Sequence, residues 1–181
     1  MLKSVISALA VVLFAGPAVA QSVATGDGRM LEIPVAPAGC TVDNIGMGQK
    51  ITTLYFTCVV SDGGSGEAQA AVEMLAVDAS QLAPEDHEKL EPISVVRDFL
   101  AASGREAMMD LPHFEPVTAV PTSNGPVAMR CASYDDVAAL TGHAVCALDA
   151  RPSLLILYVD STMAYTAMRG VEKVMADATL Q

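Results

Sequence analysis

Ile51-Thr52-Thr53-Leu54-Tyr55-Phe56-Thr57-Cys58-Val59-Val60-Ser61 is the stretch that decides the fold. In an extended chain successive side chains point to opposite faces, so Leu54, Phe56, Cys58 and Val60 share one side. Thr53, Tyr55, Thr57 and Ser61 share the other. An antiparallel strand with one face on a core and one in water requires this alternation. Asp62-Gly63-Gly64-Ser65-Gly66 then reads as a turn. Residues 67–78, EAQAAVEMLAVD, fit two periods. Ala68, Ala71, Val72, Leu75 and Ala79 make a helical stripe, while Ala70, Val72, Met74 and Ala76 make one strand face. The glycine-rich turn before them favours a strand.

Upstream, Arg29 to Val35 reads as a short strand with Leu31, Ile33 and Val35 on one side, and Pro34 confines it to an edge or strand end. Residues 21–28 are small and polar and read as a frayed start. Cys40 and Val42 share a face of a further strand. Downstream, Pro84 and Pro92 each suit a first helical turn. Val95, Val96, Phe99 and Leu100 then form an apolar stripe, Gly104 stands at a C-terminal cap position, and 106–111 adds a turn.

Phe114 to Val120 is a candidate strand, Ser123-Asn124-Gly125-Pro126 a turn, and Val127, Met129 and Cys131 alternate with Ala128, Arg130 and Ala132. Residues 135–141 read as a loop or helical turn. Ala144, Cys146 and Leu148 repeat the alternation, and Leu154 to Val159 is apolar throughout, as in a strand covered on both faces. A last helix starts after Asp160 or Ser161 as cap. Its stripe is Ala164, Met168, Val171, Met175 and Ala178, and Gly170 marks close packing.

The first twenty residues combine Lys3, an apolar run from Val5 to Phe14 and Ala18-Val19-Ala20, the pattern of a secretory signal peptide cleaved before Gln21. About ten apolar residues are too few to span a bilayer core of roughly 30 Å. The expected domain is therefore 21–181, periplasmic or secreted, with no transmembrane anchor. The chain carries 10 basic and 21 acidic residues, and loss of Lys3 takes the formal charge from −11 to −12. That balance disfavours nucleic acid, whose binding needs Lys and Arg to displace counterions, and anionic lipid surfaces. Four cysteines in an exported chain read as two disulfides, for which three pairings exist. They fall into two local couples, so Cys40–Cys58 and Cys131–Cys146 are expected.

The elements run roughly βββ-α-ββββ-α: an α+β domain, an antiparallel β-sheet covered by helices. This succession is similar to that of the Mog1/PsbP-like sandwiches. The resemblance rests on element order across most of the mature chain and matches no motif, so it transfers no functional residue. It implies a non-enzymatic accessory or binding protein.

The chemistry-bearing residues point the same way. Gly63-Gly64-Ser65-Gly66-Glu67 fails the Gly-x-Ser-x-Gly pattern of a nucleophile elbow at its last position. His87 sits among acidic residues and His113 between Pro112 and Phe114, with no spacing that marks a general base. On a strand His143 and Cys146 face opposite ways and converge poorly on one ion. Four Tyr, four Phe and no Trp leave little for stacking on sugars or bases, and Tyr134, Tyr158 and Tyr165 suit structural roles or a groove wall. The expectation is a protein without catalytic residues or cofactor that presents a surface to another exported protein. An alternative is soft-metal (copper) binding by Met108, Met109 and His113, because thioethers select Cu(I).

Overall fold

A computed structural model describes residues 21–25, 27–47, 51–78, 96–98, 100–101, 117–150 and 153–181. Seven strands form one antiparallel sheet: β3 (Cys40–Met47), β4 (Ile51–Ser61), β5 (Glu67–Asp78), β6 (Val117–Thr122), β7 (Gly125–Asp136), β8 (Thr141–Ala150) and β9 (Ser153–Ser161). Their order is β3-β4-β5-β9-β8-β7-β6. Residues 67–78 are strand because they pair on both sides, with β4 and with β9. Ala70, Val72, Met74 and Ala76 are the buried face. Tertiary pairing overrides the helix propensity of Ala, Glu and Gln.

The face carrying Leu54, Phe56, Cys58 and Val60 holds the main core. It is covered by helix α1 (Ala164–Ala176) and by a small sheet of β1 (Gln21–Ala24), β2 (Met30–Ile33) and β10 (Thr179–Leu180), in the order β1-β2-β10. Strand dominates the described residues, and cover on this face is shared between one helix and a second sheet. Residues 21–24 are thus paired to β2, Gln21 opposite Ile33 and Ala24 opposite Met30, instead of frayed. On the opposite face, residues 96–98, 100 and 101 are helical. Val96 and Leu100 are buried there against Val77, Val145, Ala147, Leu154 and Ile156. The proposed helix starts at Pro84 and Pro92, the Gly104 cap and the 106–111 turn lie outside the described residues.

Both disulfides join residues directly opposite each other in neighbouring strands, Cys40 with Cys58 across β3–β4 and Cys131 with Cys146 across β7–β8. This is the expected pairing, and no described cysteine is free.

Helix α1 departs from expectation at its start. Asp160 and Ser161 do not cap it: Asp160 turns toward His143, and the Ser161 hydroxyl donates to the Gln69 carbonyl. Thr166 Oγ1 accepts from the Met163 N–H at 3.1 Å, and Asp135 Oδ1 accepts from the Ala164 N–H at 2.6 Å. Those side chains satisfy donors that a helix start leaves without intrahelical partners. The buried stripe is Thr166, Ala167, Gly170, Val171, Val174 and Met175, rotated from the expected one because Gly170 faces the sheet. A Cβ at Gly170 would lie 2.8 Å from both Ala70 Cβ and Val159 Cγ1, so its lack of a side chain sets how closely the helix docks. Asn124 clamps the chain end, its amide donating to the Leu180 carbonyl at 2.6 Å and accepting from the Leu180 N–H at 2.8 Å. No described helix is long and apolar enough to cross a membrane.

Candidate functional site

Two features of the described surface combine defined geometry with chemical character. The first lies on the sheet face opposite helix α1. The strand register lines up Thr57, Ala71, Asp160, His143 and Tyr134 in one row across β4, β5, β9, β8 and β7. The next row contains Tyr55, Glu73, Tyr158, Val145 and Ala132.

Tyr158 marks the boundary between the two halves of this face. Its ring is 1% exposed and packs in the apolar cluster beneath Val96 and Leu100. Its hydroxyl reaches the polar half, where it donates to Asp160 Oδ1 at 2.5 Å and lies 2.9 Å from His143 Nδ1. An amphipathic ring suits such a boundary. His143 Nδ1 is 2.5 Å from Asp160 Oδ1, and Nε2 is 3.1 Å from Thr141 Oγ1. With the imidazole proton on Nδ1 facing the carboxylate, Nε2 accepts from the threonine hydroxyl. Tyr134 stacks on the imidazole with ring centroids 5.9 Å apart.

Beside this network, Tyr55 donates to Glu73 at 3.0 Å and Thr57 to Asp43 at 2.7 Å. Ala71 leaves a gap between Thr57 and Asp160, and a cleft of about 130 Å³ opens there, bordered by Asp43, Tyr55, Glu73 and Asp160. That is far below the usual size of a small-molecule site, ~300–1,000 Å³. A more open groove of about 350 Å³ runs along helix α1 between Val59, Pro121, Arg169 and Lys173.

The second feature sits at one end of the sheet. The β7–β8 turn, Val137-Ala138-Ala139-Leu140, projects Val137 and Leu140 with 80% of each exposed. Asp136 Oδ1 accepts from the N–H groups of Ala138 and Ala139 at 3.0 Å each, which fixes the turn. Leu140 has φ 55°, in the left-handed region. The Asp135–Ala164 hydrogen bond and the contact of Gly142 with the Met163–Ala164 backbone hold the turn against the start of helix α1. There Met163 and Tyr165 are each 48% exposed. Tyr165 also lies against Gly63 of the β4–β5 turn and under the Arg169 guanidinium.

The Arg169 guanidinium is held above its ordinary pKa by the hydrogen bonds it donates to the Tyr165 hydroxyl oxygen and then to the Glu172 carboxylate. At the β1–β2 turn the Asp27 carboxyl is held well below the carboxylate range by hydrogen bonds to Arg29 and then Thr25. That pair closes a turn and belongs to neither feature.

Met108, Met109 and His113 lie outside the described residues. Among the described residues, no three His, Cys, Asp or Glu side chains are grouped to hold a metal ion. His143 and Cys146 do face opposite ways: one joins the polar network, the other the core disulfide. The sequence reading missed the partnership of His143 with Asp160, which spans 17 residues and follows only from strand register. It also passed over the apolar turn, whose signal, Val-Ala-Ala-Leu between two acidic residues and Thr141, stood in the chain. No protein-family model, no curated protein and no solved structure matches the chain.

Proposed function

We propose that this is an exported, non-catalytic accessory protein that binds another exported protein through the end of the sheet bearing the β7–β8 turn. The signal-peptide pattern and the two disulfides support export. The observation that carries the reading is the turn itself, a fixed backbone that holds Val137 and Leu140 out in water. Folding gains nothing from such exposure, whereas a partner that covers these side chains gains about 25 cal/mol per Å² of apolar surface removed from water. We extend the proposal to the architecture of the Mog1/PsbP-like sandwiches, on the element order read from the sequence.

The His143 network fits a structural part in this reading. Both imidazole nitrogens are engaged, and the bonds tie β8 to β9 where the apolar cover of that face ends. A second reading is favoured by one observation: Thr141, His143 and Asp160 form a hydroxyl–imidazole–carboxylate chain in the order that nucleophile activation uses. Mild crosslinking in the cell envelope followed by co-purification separates the two. The expected result is one recurrent partner, kept by His143→Ala and lost or at least about tenfold depleted by Val137→Asp with Leu140→Asp. An activated ester that leaves an acyl group on Thr141, and none on Thr141→Ala, would establish the second reading in place of the first.

A further inference from the structure

We infer that the β7–β8 turn and the start of helix α1 form an apolar plug with an acidic collar, whose partner surface is an apolar socket rimmed by Lys and Arg. This rests on the binding reading above and adds the chemistry of the partner. Eight large hydrophobic side chains are exposed among the described residues. Four of them, Val137, Leu140, Met163 and Tyr165, gather at this one end, joined through the Asp135–Ala164 bond and the Gly142–Met163 contact. Single exposed apolar side chains need no explanation, but a cluster with a polar rim marks an interaction site.

The backbone adds an independent sign. Leu140 is the one non-glycine residue with positive φ among those described. A left-handed φ is disfavoured for leucine and would suit Asn or Gly better. Local strain of this kind collects at ligand clamps and binding turns. Here it puts a leucine at the tip, where the fold gains nothing from its side chain.

Charge then selects the occupant. Asp135 and Asp136 stand in the same turn, and Asp62 anchors the adjacent β4–β5 turn that touches Tyr165. Their oxygens accept backbone N–H groups. Arg169, which lies over the Tyr165 ring, is paired with Glu172. A second copy would bring the same acidic collar, on a chain of the same strongly negative charge, against its like. Anionic lipid repels the collar in the same way. Cations around an apolar socket instead meet the carboxylates at the rim while the plug is desolvated at the centre, the ordinary anatomy of an interface.

Methyl NMR on the mature chain tests this with three probes: a soluble Leu/Lys peptide, its Leu/Glu twin, and phosphatidylcholine vesicles. The Leu/Lys peptide is expected to shift the methyl signals of Val137, Leu140 and Met163. Binding should weaken at least about tenfold near 1 M salt, where the Debye length is about 3 Å. Leu140→Asn, which tolerates the left-handed φ and adds no charge, should weaken it by a similar factor. Leu140→Asp should do the same although it makes the collar more acidic, so a purely electrostatic attraction is separated from plug burial. Equal binding of the Leu/Glu peptide, preference for vesicles, self-association through the same methyls, or shifts confined elsewhere would overturn the inference. If the co-purified partner depends on Val137 and Leu140 while the two peptides bind alike, the basic rim is wrong and the binding reading stands. Failure of the unaltered chain to recover any recurrent partner removes that reading itself.

Discussion

Replacing Cys131 and Cys146 with alanine is expected to lower the unfolding free energy by about 2–5 kcal/mol, as loss of a native bridge does in a small exported domain. The bond crosses β7 and β8 in the main core, where Cys146 is 0% exposed and Cys131 6%. Its loss opens a loop closed across a sequence separation of 15 and leaves two small side chains in a packed layer. Removing Cys40–Cys58 as well, a separation of 18 residues, frees the edge strand β3 and adds a second loss of the same order. Urea unfolding with and without reductant measures both effects. An unchanged midpoint after reduction would show that the bridges do not hold the sheet.

Gly142→Val is expected to destabilise by about 3 kcal/mol or more, at the upper end of what overpacking costs. A Cβ there would lie 1.8 Å from the Met163 carbonyl carbon and 2.0 Å from the Ala164 nitrogen, both backbone atoms that cannot swing aside. The start of helix α1 would have to move off β8, breaking the Asp135–Ala164 bond and detaching the β7–β8 turn from Met163. Gly46→Ala is the control, since a Cβ there meets only Thr53 at an ordinary 3.7 Å. A surface change of that kind stays within about 0.5 kcal/mol. Thermal unfolding of the two variants side by side gives the comparison, and equal midpoints would contradict the close approach of helix and sheet.

The parts of this fold that could be read in the chain were those where one short-range signal dominated. Alternation in Ile51–Ser61 placed Leu54, Phe56, Cys58 and Val60 on the buried face, and the two cysteine couples followed from neighbouring strands. Residues 67–78 carried conflicting periods, and their strand state comes from pairing with β9, more than seventy residues away in the sequence. The pairing of Gln21–Ala24 and Thr179–Leu180 with β2 depends on bringing the chain ends together, which no local pattern encodes. The helix cap was misread for a related reason. Asp160 lies within β9, before the actual N-cap Met163, and cross-strand pairing opposite His143 gives its carboxylate another partner.

The candidate sites divide in the same way. Tyr158, His143 and Asp160 meet because β8 and β9 pair in a register that puts 143 opposite 160. Sequence alone offered three dispersed polar residues. The apolar turn was visible as composition, but its meaning depended on exposure, and exposure is a property of the folded chain. Residues 135–141 read as a loop or helical turn, and the structure adds that Val137 and Leu140 stand exposed at the end of a hairpin.

The proposed partner rests on the proposal that the chain is exported with both disulfides formed. Top-down mass spectrometry of the protein isolated from its native cells under thiol-blocking conditions tests it most directly. The predicted result is a chain beginning at Gln21, lighter than its reduced form by four hydrogens, with Cys40 linked to Cys58 and Cys131 to Cys146. A chain that retains residues 1–20, or one with alkylated free thiols, would contradict the account.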